Sequence, residues 1–286
     1  MLHAMTAHQL DNLKIAFVGG GNMARALIGG LLAAGVSPRN IAVGEPSAPA
    51  RERLASEFGV RCHANNHIAV ESAELVILAT KPQVASGVLT ALAGKVPDKA
   101  LIASIMAGIR RQDIRNWLPG PHAIVRAMPN TPALLGLGIT VLVADESLSA
   151  APRELVEQVF SQTGEVLWVD DEGLMDAVTA ISGSGPAYIF LVIEALEEAA
   201  IAQGLPAPTA RKLALATARG AAEMAARSEY SAAELRTQVT SPGGTTEAAL
   251  EVLERDGLRS SFERAIEHAT ARSRHLAQAL GGDLNP

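Results

Sequence analysis

The sequence predicts an α/β domain over residues 12–170 followed by an all-helical domain over residues 171–286. Three observations carry that prediction. A short β-rich run at residues 14–19 (KIAFVG) leads directly into a glycine-rich turn and an apolar helical pattern reaching Gly35. Strand-like apolar runs then alternate with helical patterns to about residue 170, the rhythm of βαβ units. Beyond Asp171 only helical periodicity remains, and that switch marks a domain boundary.

Taken in order, a second strand is expected at residues 41–44, and a helix at 50–58 that Gly59 stops. Residues 75–79 (LVILA) are an unbroken apolar run, which suits a parallel strand covered on both faces. Further strands fall at 101–105, 123–128, 139–143 and 166–169, with helices at 110–117 and 150–160. Pro152 is tolerated in the first turn of the latter. The second domain reads as helices at 186–203, 208–227, 232–239, 247–254 and 258–280. Several are too apolar for a lone monomer, so a helical homodimer interface is expected.

Composition narrows the function. Apolar residues make up 48% and aromatics only 3%, so the core must be aliphatic. Twenty-four Lys plus Arg against thirty Asp plus Glu gives a net charge of −6, which is no footprint for nucleic acid. The single cysteine, Cys62, excludes an intrachain disulfide framework and a multi-cysteine metal site. No histidine spacing reads as a ligand set, so no metal is expected. The longest nearly unbroken apolar stretch, residues 132–144, falls short of the roughly 20 residues a membrane helix needs. The N-terminal residues lack a basic region followed by an apolar one, so residues 1–11 read as an extension and the location as cytoplasmic.

The chemistry concentrates in a few clusters. Gly19-Gly20-Gly21-Asn22-Met23-Ala24 fits G-x-G-x-x-A between a strand and a helix, the Rossmann-type setting for a dinucleotide. Gly19 allows the tight turn, Gly21 lets a pyrophosphate reach the backbone, and Ala24 permits close helix–sheet packing. The helix N-terminus, with Asn22 and Met23, supplies N–H donors and a favourable dipole. Glu45 ends the second strand, where an acid binds ribose hydroxyls and favours NAD. Ser47 and Arg51 follow it and suit a 2′-phosphate, so NADH and NADPH both remain open. Thr80-Lys81-Pro82, Ala107-Gly108 and Asn130 follow three successive strands at their carboxyl ends, where open α/β sheets bind ligands. The glycines of ISGSGPAY (181–188) imply close backbone approach. In VTSPGGTT (239–246), hydroxyls, two glycines and free helix N–H groups coincide. That combination suits a carboxylate or phosphate, or else an N-cap built on Thr245 or Thr246.

On the GGGNMA turn, Lys81-Pro82-Gln83, SIMAG (104–108), RAMPNTP (126–132), ISGSGPAY and above all SPGGTT (241–246), the chain resembles the pyrroline-5-carboxylate reductase family over residues 12–278. The resemblance implies reduction of Δ1-pyrroline-5-carboxylate to L-proline by NADPH or NADH, the last step of proline biosynthesis. It implies a Rossmann-type domain for the cofactor and a helical domain that interleaves with a partner subunit. Some members assemble as decamers of five dimers. The family's substrate-carboxylate loop maps to Ser241, Gly243, Gly244, Thr245 and Thr246, with Thr246 beside the ring nitrogen as the catalytic residue.

Two other readings are open: a different NADP-dependent imine or β-hydroxyacid reductase, and a non-enzymatic dinucleotide-binding protein. A β-hydroxyacid reductase calls for a lysine general acid in the interdomain helix, and GPAYIFLVIEALEEAA has none.

Overall fold

The structure, a computed structural model, describes Leu10 and residues 12–281. The expected extension at residues 1–11 and its two histidines lie almost wholly outside the described residues. The chain folds as two compact units, residues 1–184 with 269–286, and residues 185–268. The change of sequence texture at 170/171 therefore precedes the boundary between the units, and the end of the chain returns to the first unit.

Among the described residues the first unit holds one sheet of eight strands: β1 (Ile15–Val18), β2 (Ile41–Gly44), β3 (Arg61–His63), β4 (Leu75–Leu78), β5 (Leu101–Ser104), β6 (Ile124–Met128), β7 (Gly138–Ala144) and β8 (Gly164–Trp168). Their spatial order is β3-β2-β1-β4-β5-β6-β7-β8. The first six strands are parallel neighbours in doubly wound order, with the reversal between β1 and β4. Ligands of such sheets bind at that reversal, beyond the strand carboxyl ends.

Unbroken apolar runs form the central strands because both faces are buried. Ile15 and Phe17 enter one core with Leu27, Ile28 and Phe160. Ala16 and Val18 enter the other with Val76, Leu78, Leu89 and Ile114. Successive strand side chains point to opposite faces, so a doubly covered strand has no polar position. The covering helices are α1 (Asn22–Ala33), α2 (Ala48–Phe58), α3 (Asn66–Val70), α4 (Ala85–Leu92), α5 (Arg111–Trp117) and α6 (Ala150–Ser161).

The expected βαβ rhythm breaks at one place. β7 runs antiparallel to β6, pairing Val125 with Ala144 and Met128 with Val141. A 3₁₀ turn at Thr131–Leu135 is all that lies between them, whereas a parallel crossover needs about a dozen residues or more. β3, α3 and α4 are not among the expected elements. β3 is three residues long (RCH) and half-exposed at the sheet edge, so it carries no apolar run.

After β8 come α7 (Met175–Val178) and a π-helical turn at Thr179–Gly183, closed by Ser184 N–H donating to Thr179 C=O at 2.9 Å. The second unit consists of α8 (Gly185–Ala202), α9 (Ala207–Arg227), α10 (Ala232–Gln238), α11 (Thr245–Arg255) and the start of α12 (Leu258–Gly281), all within about two residues of expectation. α8 buries no residue in the single chain and exposes Ile189, Phe190, Leu191 and Leu196. The helical run Glu172–Ala202, at 31 residues, is long and apolar enough to cross a membrane by length and composition. It exceeds the 132–144 stretch that the plain sequence marks as longest.

The last turns of α12 belong to the first unit. There Gly281 lies against the carboxylate of Asp113, whose pKa burial pushes up from 3.8 against the pull of the Arg110 N–H.

Candidate functional site

The glycine-rich turn joins β1 to α1. Gly19 has φ +103°, and a β-carbon there would stand 2.7 Å from the Ala79 carbonyl oxygen at the end of β4. A β-carbon on Gly20 would stand 2.5 Å from Leu54 Cδ1. Gly21 differs: it has an ordinary φ of −70°, and its missing side chain faces open space. Gly21 is the N-cap of α1 without any side-chain cap, and the N–H groups of Gly21, Asn22 and Met23 have no acceptor among the described residues. This is a cradle that a β-carbon would fill, with free donors at a helix N-terminus. The residues present therefore fit a dinucleotide pyrophosphate.

Beside the turn, the Glu45 carboxylate accepts from Gly20 N–H at 3.0 Å and from Ser47 N–H at 2.9 Å. The Arg51 guanidinium donates to the carbonyls of Glu45 and Pro46, both at 2.8 Å. Both ends of the expected ribose-recognition segment are thus pinned by its own side chains. Sequence reasoning missed Asn66 at the start of α3. Its Oδ1 is buried with no partner among the described residues and abuts Gly44, leaving an acceptor at the end of β2. The Asn65-Asn66 pair before a helix is the available signal, and it reads first as a cap: Asn65 accepts from His67 N–H.

The strand-end clusters meet one another. Thr80 Oγ1 donates to Met106 Sδ at 3.2 Å, so the TKPQ and SIMAG segments touch. Ser104 Oγ accepts from Met106 N–H at 3.3 Å. Gly108 has φ +75°, which explains a glycine in that turn, and its free side is covered by Ala277 of α12. Ala107 stands exposed next to it. Lys81 is exposed and makes no ion pair among the described residues, so it holds no structural salt bridge there. Pro82 opens a 3₁₀ turn that Lys81 caps without a side-chain bond.

Asn130 has a structural task. Its Oδ1 accepts from Ile139 N–H at 3.0 Å, and its Nδ2 donates to the Ser182 carbonyl at 3.1 Å. A β-carbon on Gly183 would meet Met128 Cε at 2.5 Å. RAMPNTP and ISGSG are therefore packed together, and the π-turn puts the second against the first. Such turns concentrate at functional sites. Behind them, Arg126 pairs with Glu172, and Arg111 bridges Glu172 and Asp145. The two arginines stand on adjoining elements, so the pairs form one connected network.

In the second unit, SPGGTT leads into α11. Its N-cap is Gly244, not a threonine, and no side chain caps it. Gly243 takes φ +70°, and its N–H donates to Glu247 Oε2 at 2.6 Å. Gly244 N–H donates to the Ser241 carbonyl at 3.0 Å. The two glycine donors are thus spoken for, while the N–H groups and hydroxyls of Thr245 and Thr246 have no partner among the described residues. Two adjacent N–H groups at a helix start match the two oxygens of a carboxylate. Sequence reasoning gives Glu247 only a place in the first turn, yet it holds the turn that aims these donors. Among the described residues no three His, Cys, Asp or Glu side chains converge as a metal site.

Comparison with known proteins finds a match to each part of the chain. The family model for pyrroline-5-carboxylate reductase dimerisation matches residues 172–276, and that for coenzyme F420-dependent NADP oxidoreductase matches residues 14–108. A pyrroline-5-carboxylate reductase of Pseudomonas aeruginosa is 47% identical over 268 residues, covering 94% of this chain and 98% of the relative. Among solved structures, a pyrroline-5-carboxylate reductase from Coxiella burnetii aligns with TM-score 0.88 at 41% identity, covering 93% of this chain and 98% of that one. The Plasmodium falciparum pyrroline carboxylate reductase with NADP bound aligns with TM-score 0.84 at 28% identity, covering 94% and 99%. At such identity along nearly the whole length, the chain belongs to the pyrroline-5-carboxylate reductase family.

Proposed function

We infer that the chain reduces Δ1-pyrroline-5-carboxylate to L-proline, consuming one NAD(P)H and one proton, as the last step of proline biosynthesis. The observation that carries this reading is the presence of two anion cradles in a chain 47% identical to such a reductase: free N–H groups at Gly21–Met23 and at Thr245–Thr246.

When bound, the reduced nicotinamide supplies the hydride that the imine carbon accepts. The chain's residues do the rest. Gly21, Asn22, Met23 and Ala24 receive the pyrophosphate, while Glu45, Ser47 and Arg51 frame the adenosine ribose. Thr80, Lys81, Pro82, Ala107 and Gly108 shape the strand-end groove for the nicotinamide half, and Asn130 holds the floor of that groove. Thr245 and Thr246 hold the substrate carboxylate through backbone N–H groups, with Ser241, Gly243 and Gly244 shaping the loop. The Thr246 hydroxyl fixes the ring nitrogen. No alkoxide develops when an imine is reduced, so no strong general acid is required, and a protonated imine carries its own activation.

The dimerisation region at 172–276 pairs two copies of the chain and covers the apolar faces that α8 exposes alone. Further assembly into a decamer of five dimers, and a cytoplasmic setting without membrane or nucleic-acid partners, complete the proposal. Its test is steady-state turnover: purified protein is mixed with Δ1-pyrroline-5-carboxylate and either NADPH or NADH, and loss of reduced-nicotinamide absorbance is followed. Oxidation that depends on the imine is expected. Oxidation with neither cofactor overturns the reading.

A further inference from the structure

We infer that the approach of α12 at Ala277, with the helix fixed on either side through Ser273 and Gly281, positions the turn at residues 105–109 for the nicotinamide half of the cofactor. The inference rests on the reading of Ala107 and Gly108 given above. It concerns residues that touch neither ligand.

The three residues are four apart, so they form a single stripe along the helix. Each meets a different part of the first unit. Ser273, 7% exposed, donates from Oγ to Asp176 Oδ1 at 2.6 Å, just before the π-turn. Ala277, 2% exposed, lies beside Gly108: a β-carbon on that glycine would stand 3.5 Å from Ala277 N and 3.6 Å from its Cα. Gly281 lies against Asp113, where a β-carbon would come within 2.7 Å of Oδ1. Asp113 in turn accepts the Arg110 N–H that follows the turn.

Smallness at these positions sets how near the helix backbone can come. Gly108 offers no side chain, and a β-carbon added there would already be in ordinary contact with the Ala277 backbone, so the space between helix and turn is no wider than one small group. On its inner side the same turn is gripped by Ser104 and Thr80 through Met106. A left-handed glycine turn between those grips has little freedom to shift, and displacement of it alters the groove floor beside Ala107. Packed interiors transmit such displacements instead of absorbing them. The adenosine half is received by the β1–α1 turn and the end of β2, which α12 does not touch through these residues.

The test separates the two halves of the cofactor. Ala277→Leu and Ser273→Ala are titrated with NADPH, and separately with adenosine 2′,5′-bisphosphate and ADP, which carry no nicotinamide. Folding is checked by circular dichroism. The expected result is about 10-fold weaker NADPH binding in Ala277→Leu and a smaller loss in Ser273→Ala, with the adenosine probes unchanged. Equal weakening of NADPH and the adenosine probes overturns the inference, because it reports general loosening. Unchanged NADPH affinity in folded Ala277→Leu overturns it as well; if that variant does not fold, Ser273→Ala decides in the same way. Ala107→Leu is titrated alongside. Weakened NADPH binding there with no effect at 273 and 277 removes the positioning role alone. No effect at 107 removes the reading of the turn itself.

Discussion

Gly21→Val yields a folded protein whose affinity for NADPH, measured by titration, falls about 100-fold, a loss of roughly 2.7 kcal/mol. The size of the effect follows from an asymmetry within the glycine triplet. At Gly21 the backbone is ordinary, and nothing lies within 4 Å of where a β-carbon would go. The fold therefore accepts a side chain, but that side chain occupies the approach to the free N–H groups of α1. The phosphates then lose both space and donors. Gly19→Ala is the contrasting case. Its φ of +103° and the Ala79 oxygen at 2.7 Å make any side chain there incompatible with the β1–β4 pairing. That variant is expected to lose stability before it loses affinity. A Gly21→Val protein that binds NADPH like the parent would show that the pyrophosphate does not use this helix start.

Thr246→Ala lowers kcat/KM by about 10–100-fold, corresponding to roughly 1.4–2.7 kcal/mol of transition-state binding. The Thr246 hydroxyl is without a hydrogen-bond partner among the described residues, although it sits in the first turn of α11 where a cap would be welcome. Capping therefore does not explain it. The backbone N–H at 246 survives the substitution, so carboxylate binding is largely retained and the loss falls on kcat. Thr246→Ser, which keeps the hydroxyl, restores most of the rate. Parent-like kinetics for Thr246→Ala would remove the residue from the reaction.

The sheet is legible in the sequence where burial is two-sided. LVILA and IAFV admit no polar residue because each face enters a core, and such runs announce themselves. β3 does not, since an edge strand of Arg61, Cys62 and His63 has no such constraint. The antiparallel β7 is hidden for another reason: strand direction is decided by the length of the connection, and the residues around Asn130 read as a strand-end cluster rather than as a short return. In the site, the proposed phosphate cradle is legible from the glycine spacing together with the strand before it and the helix after it. The fixed partners are not. Asn130 looks like a ligand residue at a strand end, but its amide is used in tying β7 to Ser182. Glu247 looks like an ordinary first-turn acid, but it takes the Gly243 donor, while the N–H groups of Thr245 and Thr246 have no partner among the described residues. The stripe of Ser273, Ala277 and Gly281 carries no signal, because small residues in a helix say nothing about what lies opposite. In each case the decisive fact is which acceptor a donor reaches, or which backbone a helix meets, and that depends on tertiary structure.

The reaction inferred for this chain is delivery of a hydride to the carbon of a cyclic imine bearing a carboxylate. Its most direct test is to supply NADPH deuterated at the transferred position on C4 and analyse the product by mass spectrometry and NMR. The expected product is L-proline carrying one deuterium on the ring carbon that was the imine carbon. Cofactor oxidation without labelled proline, or no reaction with the imine in the presence of either cofactor, would contradict it.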